Sequence, residues 1–200
     1  ASSNGVKFIN VSPLKSDLET VNEVEWISIK PNTDVALMLA LCYEIYKSGA
    51  TDRKFIDKYT VGFKKFTKYL NGDTDGVIKN AEWASQITGL SSNAIFDLIK
   101  EIKRSKRTMI SISWSLTRQS HGEQPYWAAI ALASIIGDIG KPGGGIGFGY
   151  SAMNSIGDHY KKIPAVSLPQ GKNSVKKFIP VARISEMLES PGTSFDYNGS

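Results

Sequence analysis

The sequence predicts an α/β fold of three layers, in which a mainly parallel β-sheet is flanked by helices. Segments with the composition of strands alternate with helical segments along the 200 residues, and parallel strands need such crossovers between them. Hydrophobic residues make up 41% of the chain and charged residues 22%, which is ordinary for a globular protein. We expect an α/β domain over residues 1–150 and an irregular extension toward a neighbouring domain over residues 151–200.

The first half of the chain opens with two predicted strands. Residues 6–12 form an apolar run, and residues 25–30 alternate apolar and polar side chains. The turn Pro31-Asn32-Thr33-Asp34 then has the proline, the cap residues and the acidic first turn of a helix start. The following helix, to about residue 47, is apolar nearly all round, so we expect it to be deeply buried. Further helices are predicted over residues 53–59, 63–70, 81–89 and 92–106.

The second half of the chain repeats the order of strand and helix. Residues 108–114 are rich in β-branched side chains and form the third predicted strand. A polar loop follows, and then a small-residue apolar helix over residues 126–140. We interpret the glycine run at residues 143–149 as backbone that passes close to a bulky group, because it follows a helix and so lacks the context of a dinucleotide fingerprint. Beyond it, only residues 181–188 have a helical pattern.

Composition excludes several classes of protein and of site. No apolar stretch approaches the length of a transmembrane helix, and no export signal is visible at the start of the chain. The single cysteine, Cys42, excludes an internal disulfide and cysteine-ligated metal centres. Two histidines, His121 and His159, are too few for an ordinary transition-metal site. The net charge of +5 suits an anionic ligand without requiring one.

Ligands of parallel α/β sheets bind at the carboxyl ends of the strands, and the predicted strands end in residues 12–17, 31–34 and 114–124. Asp34 has two interpretations, which we weight about equally because acids are common in a first helical turn. It either stabilises the helix dipole, or its two oxygens accept the adjacent donors on the pairing edge of guanine.

The other two strand ends also have alternative interpretations. In residues 12–17, Lys15 is a candidate phosphate contact, although a solvated loop is the commoner case. Trp114 is a stacking face or a core anchor, and core is commoner for a lone tryptophan. His121 is a candidate acid–base group without a visible partner. The basic run at residues 103–107 fits a solvated helix end better than a nucleic-acid patch.

Several segments, in order, resemble the molybdopterin oxidoreductases. They are INVSPLKSD at residues 9–17, PNTDVALMLAL at 31–41, AEWASQITGL at 81–90, SLTRQSHGEQPYWA at 115–128 and IGDIGKPGGGIGFGY at 136–150. RQSHGEQP and PGGGIGFGY are similar to the branch of dimethyl sulfoxide, trimethylamine N-oxide and biotin sulfoxide reductases. The tail at residues 179–200 resembles the trimethylamine N-oxide type. The similarity extends over the chain from about residue 6.

The resemblance implies a large enzyme that binds molybdenum through two molybdopterin guanine dinucleotides, and domains that resemble dinucleotide-binding folds. It puts Ser12, Pro13, Lys15 and Ser16 near phosphate and ribose, and Asn32 and Asp34 on the guanosine. It puts Trp114, Ser115 and Arg118 near the pterin and the cleft floor, with Gln124 and His121 as weaker candidates.

The resemblance also implies that this chain is a fragment of the catalytic subunit. The family's metal-ligand serine would lie upstream and a pterin-binding domain downstream, so we expect no catalytic or metal-ligand residue in this chain and no bound molybdenum or activity in the fragment. The parent would reduce an S- or N-oxide with electrons from a cytochrome or other redox protein in anaerobic respiration. We expect a periplasmic parent, or a cytoplasmic one if it is of the biotin sulfoxide reductase type.

Two other functions stay open from the residues alone. One is a free-standing nucleotide-binding α/β module, and the other is a basic domain that interacts with nucleic acid. For the oxide reductase, we expect neither nucleic-acid partners nor membrane insertion.

Overall fold

The structure is a computed structural model that describes residues 5–18, 24–149, 168–169, 171–172, 174–175 and 178–194. The chain divides into two compact units, Ala1–Lys161 and Lys162–Ser200. The domain boundary predicted after residue 150 stays a prediction, because residues 150–167 lie outside the described ranges. Much of the irregular extension predicted for residues 151–200 lies outside them as well.

The described strands of the first unit form two parallel pairs. β1 (Phe8–Val11) pairs with β2 (Val24–Ile27), and β3 (Met109–Ile112) pairs with β4 (Gly145–Phe148). Phe8 lies opposite Val24 in the first pair, and Met109 lies opposite Gly145 in the second. Parallel strands joined through helices confirm an α/β fold at this level.

Two expectations about the strands are corrected by the structure. The three predicted strands do not share one sheet among the described residues, because β3 pairs with β4 and not with β1 or β2. The glycine run contains β4, although glycine disfavours strands. The pairing is decided by tertiary contacts: Gly145 N donates to Thr108 O at 2.9 Å, and the buried Asp138 carboxylate accepts from Thr108 N at 2.9 Å.

Six helices of the first unit match the predicted ones within a few residues. Three of them begin at side-chain caps, where the side-chain oxygens of Asp52, Asn80 and Ser91 each accept from a backbone N–H three residues ahead. Each such cap stabilises its helix by about 1 kcal/mol. The helices are α1 (Asp34–Lys47), α2 (Arg53–Tyr59), α3 (Phe63–Leu70), α4 (Ala81–Thr88), α5 (Ser92–Arg104) and α6 (Gln124–Ile136).

Helix α1 forms the centre of the core, as its apolar sequence predicts. It packs against α3, α4, α5 and α6, and its residues 36–42 are all buried. Glu44 at its far end accepts a hydrogen bond from Ala81 N at 3.0 Å, which ties α1 to the start of α4. Burial of each large aliphatic side chain contributes roughly 1.5–3 kcal/mol, so α1 is a major source of apolar stabilisation of this unit.

The described part of the second unit contains the helix predicted over residues 181–188. A 3-10 helix, Val181–Arg183, leads into α7 (Ile184–Glu189). The Arg183 guanidinium donates to the Glu186 carboxylate, with an Nε–Oε2 distance of 2.7 Å. This local ion pair lies three residues apart on the helix, the spacing at which helical side chains meet.

Candidate functional site

The loop after β1 is shaped by a buried amide. Asn10 lies in β1 and exposes 7% of its surface. Its Nδ2 donates to the backbone oxygens of Leu14 and Lys15, at 3.3 and 3.2 Å. These two bonds hold the chain in the turn that leads into the 3-10 helix Lys15–Asp17. The loop therefore has a fixed form at the carboxyl end of the first strand pair.

Ser12 also organises this loop. It is buried, and its Oγ accepts from Leu14 N at 3.1 Å, while its backbone oxygen accepts from Trp26 Nε1 at 2.9 Å. Pro13, Lys15 and Ser16 are exposed. Of the four residues predicted near phosphate and ribose, three thus face solvent, and Ser12 is used in building the loop.

The predicted turn at residues 31–34 precedes α1 but differs from an ordinary capped start. Asn32 has a φ of 63°, a left-handed conformation that asparagine adopts more readily than most residues. The Thr33 hydroxyl donates to Lys30 O at 2.7 Å, and its side chain makes no cap hydrogen bond to the helix. This hydrogen bond between Thr33 and Lys30 closes the turn, and Asn32 is exposed.

Asp34 begins α1 and is half-buried. Burial raises the pKa of its carboxyl above the ordinary value, and the hydrogen bond from its own backbone N–H partly offsets this effect. Among the described residues, its carboxylate has no other hydrogen-bond or ion-pair partner. A carboxylate has about four acceptor positions, so Asp34 retains capacity for donors of a ligand.

The first two segments of the candidate site lie at one edge of the same strand pair. Ser12 N donates to Ile27 O at 3.2 Å, so the chain leaves β1 beside the end of β2. Residues 12–16 and 31–34 follow these two neighbouring strand ends. Ser12, Pro13, Lys15 and Ser16 therefore follow one strand end, and Asn32 and Asp34 come a few residues after the neighbouring one.

The third segment lies at the end of the other strand pair and has an aromatic surface. Trp114 begins a short 3-10 helix after β3 and exposes 38% of its surface. Its ring centroid lies 5.5 Å from that of Phe148, and Tyr126 contacts the Phe148 ring edge-on at 5.2 Å. Trp114 is thus partly packed, as a core anchor would be, and partly exposed, as a stacking face would be.

The polar residues of this loop face solvent. Arg118 is exposed and has no side-chain ion pair among the described residues. Ser115 Oγ lies 2.9 Å from Ser113 Oγ, and Gln124 Nε2 donates to Glu123 Oε1 at 3.4 Å. The exposed His121 does have an acidic neighbour, with Nδ1 3.7 Å from Glu123 Oε1. No buried acid–base pair is formed in this loop, so its exposed donors are suited to ligand binding.

Sequence reasoning missed the residues that position the site. Asn10 holds the first loop, and Phe148 and Tyr126 support the Trp114 ring. Asn10 and Tyr126 lie in a strand and a helix that the sequence indicates only as scaffold, and Phe148 lies in the glycine run. A signal existed for Asn10, because it is a polar residue within the apolar run FINV. None was visible for Phe148, because its strand was not predicted.

The described ranges contain neither a metal-binding cluster nor a membrane-spanning helix. No group of three or more His, Cys, Asp or Glu side chains is arranged there to hold a metal ion. No helix in those ranges is long and apolar enough to cross a bilayer. Cys42 is buried in α1, and burial strongly raises the pKa of its thiol.

Comparison with known proteins decides the family. The family model described as "Molybdopterin oxidoreductase" matches residues 1–194. The chain belongs to the molybdopterin oxidoreductase family. Membership implies a molybdenum–pterin cofactor and confirms the resemblance that the motifs indicate.

Curated relatives match nearly the whole chain. Biotin sulfoxide reductase of Cereibacter sphaeroides is 49% identical over 98% of the chain and 26% of its own length. The dimethyl sulfoxide/trimethylamine N-oxide reductase of Rhodobacter capsulatus is 40% identical, and the trimethylamine-N-oxide reductase of Haemophilus influenzae is 39% identical, each over 98% of the chain and 25% of its own length. The chain therefore spans about a quarter of the length of these relatives.

A solved structure supports the fold. Acetylene hydratase from Pelobacter acetylenicus is similar with a TM-score of 0.59 and 20% identity, over 71% of this chain and 19% of that one. At this identity the similarity concerns the fold alone. It agrees with the short parallel sheets and packed helices described above.

Proposed function

We propose that this chain is part of a molybdenum-dependent S-/N-oxide reductase and contributes part of its molybdopterin guanine dinucleotide site. The observation that carries the proposal is the identity of 39–49% to oxide reductases over nearly the whole chain. The candidate site adds a physical reason, because Asp34 offers a half-buried carboxylate with unused acceptors.

The described residues fit such a cofactor. The Asp34 carboxylate would accept two adjacent donors of guanine, with Asn32 beside it on the turn. Lys15 and Ser16 would meet phosphate or ribose oxygens, on a loop that Asn10 and Ser12 hold in place. Trp114, Ser115, Arg118 and Gln124 would contact the pterin end. When bound, the cofactor supplies the two-electron redox chemistry of oxide reduction, while the protein supplies position and electrostatics.

The proposal extends to the parent enzyme and its fold. Its substrate is an S- or N-oxide, and its electron donor a cytochrome or another redox protein. We propose a periplasmic enzyme of anaerobic respiration, with the cytoplasm as the alternative for a biotin sulfoxide reductase type. We also propose that both strand pairs belong to one three-layer, dinucleotide-binding-like sheet in the complete protein.

The two alternative functions receive less support. The arginines of the basic run at residues 103–107 have acidic neighbours, with Arg104 3.3 Å from Glu101 and Arg107 3.9 Å from Asp138. These neighbours reduce the positive charge available to a nucleic acid. A free-standing module is not favoured, because the relatives are oxide reductases about four times as long as the chain.

The proposal is tested by Asp34→Ala in the full-length enzyme. Loss of a bidentate, charge-assisted pair costs about 1.5–3 kcal/mol, which weakens cofactor binding by roughly ten-fold or more. Molybdenum and guanine dinucleotide content is measured after expression with limiting cofactor. Asp57→Ala, at an exposed carboxylate on α2, is the matched control. A full complement of cofactor in the Asp34 variant would contradict the assignment.

A further inference from the structure

Helix α6 has no charged residue in its sequence, QPYWAAIALASII, over Gln124–Ile136. A helix that is apolar on every side is normally buried on every side. The middle of α1 is such a case, because its residues 36–42 are all apolar and all buried. α6 therefore has the composition of a fully buried helix.

Among the described residues, only one side of α6 is covered. Ala128, Ala129, Leu132 and Ile135 are buried, and the helix packs against α1, α2, β3 and β4. On the other side, Trp127 exposes 61% of its surface and Ile130 exposes 48%. These two residues lie three positions apart, so they are neighbours on one helix face.

Ser134, the polar residue on this side of α6, adds little hydrophilic surface. Ser134 lies four positions beyond Ile130, and its hydroxyl donates to Ile130 O at 2.7 Å. The hydroxyl is thus turned onto the helix backbone and offers little to water. We call Trp127, Ile130 and Ser134 the outer face of α6.

We propose that another segment of the same polypeptide, outside these 200 residues, covers the outer face of α6 in the intact protein. The relatives are about four times as long as this chain, so most of such a polypeptide lies outside it. A face without charges is typical of permanent contacts, whereas transient partners bind more polar surfaces. The proposal does not depend on which cofactor the candidate site binds.

The test places the photo-crosslinking residue p-benzoyl-phenylalanine at position 127 of the full-length protein. After irradiation, the crosslinked peptides are identified by mass spectrometry, and monomeric and dimeric products are separated by gel. We expect a crosslink within one polypeptide to a peptide outside residues 1–200. Lys65 on the exposed, lysine-bearing side of α3 is the matched control position, where we expect no such crosslink.

Several outcomes would overturn the proposal. A dimeric product would identify a second copy as the occupant, and a crosslink to a peptide within residues 1–200 would identify this chain itself. Absence of any crosslink would mean that the face is open. Because a substitution at position 127 can itself disturb packing, hydroxyl-radical footprinting of the unmodified full-length monomer is measured in parallel. Rapid oxidation of Trp127 would overturn the proposal independently.

Discussion

Asp34 combines a helix-start position with partial burial, and these two features have opposite effects on its ionised form. A helix N-terminus favours the carboxylate, whereas burial raises the pKa of Asp34 by more than the hydrogen bond from its own backbone N–H lowers it. The ionised side chain is therefore held at a cost in the unliganded protein. Such a cost is expected of a group that is kept for binding.

This balance predicts how stability depends on pH. The folded protein binds the Asp34 proton more tightly than the unfolded chain, so stability falls as the pH rises from about 3.9 through the raised pKa. Asp34→Asn should abolish this fall and make the cofactor-free protein more stable at neutral pH. Thermal unfolding at several pH values measures it, with Asp57→Asn as the control. A less stable Asn variant at neutral pH would instead support the helix-dipole interpretation.

Lys79 is a buried cation that holds the turn between α3 and α4. Its Nζ donates to Asp75 Oδ2 at 2.7 Å and to Val77 O at 2.5 Å, and it lies 4.4 Å from the Tyr69 ring centroid. The hydrogen bond from Lys79 Nζ holds the pKa of the Asp75 carboxyl below its usual range. The ammonium thus links three parts of the turn from a site that exposes only 3% of the side chain.

Replacement of Lys79 by methionine should destabilise this turn by about 1–3 kcal/mol, through loss of the cation–π contact and the shielded ion pair. Lys100→Met is the matched control, because Lys100 forms a 2.8 Å ion pair with Asp97 but is 69% exposed. Its cost should stay below about 0.5 kcal/mol. Hydrogen exchange of the amides in residues 71–82 measures the difference. Equal effects of both variants would contradict a structural role for Lys79.

At the scale of elements, the loop between β3 and α6 is closed by a close approach at Gly122. A Cβ atom at this position would lie 2.2 Å from the backbone oxygen of Thr117. Backbone cannot yield as a flexible side chain does, so the loop accepts only glycine there. This contact brings the start of α6 back toward the 3-10 helix that carries Trp114.

Gly122→Ala should therefore destabilise the loop by about 2 kcal/mol or more, as overpacking against backbone does. The displacement should change the fluorescence of Trp114 and weaken cofactor retention. Ser120→Ala, at an exposed position in the same loop, is the control and should leave both unchanged. Unaltered cofactor content and fluorescence in Gly122→Ala would show that the loop geometry does not matter for the site.

At the scale of the whole molecule, the proposed site would need residues from outside this chain. Affinity for a large cofactor depends on several preorganised contacts at once, and the chain spans about a quarter of the length of its relatives. We expect the isolated 200-residue chain to bind no molybdenum and to reduce no oxide. Elemental analysis and an assay with reduced viologen dye measure this. Stoichiometric metal or turnover would contradict the prediction.

Much of the helical structure could be predicted from the sequence, because its determinants are local. Caps such as Asn80 and Ser91, and the apolar run of α1, depend on residues within a few positions of one another. The motifs that carry the family resemblance are equally local strings. The position of Asp34 at a strand-end turn could be predicted for the same reason.

The sequence by itself thus determined the helices, the first strands and the residue types at the strand ends. Only the tertiary structure decided that β3 pairs with β4, that Asn10 holds the first loop, and that Phe148 supports Trp114. The residues that these contacts join do not have the sequence spacing of one helix face or one strand face. In addition, β4 lies in a glycine run of low strand propensity. Their free energy comes from packing and hydrogen bonds between elements, which no local pattern records.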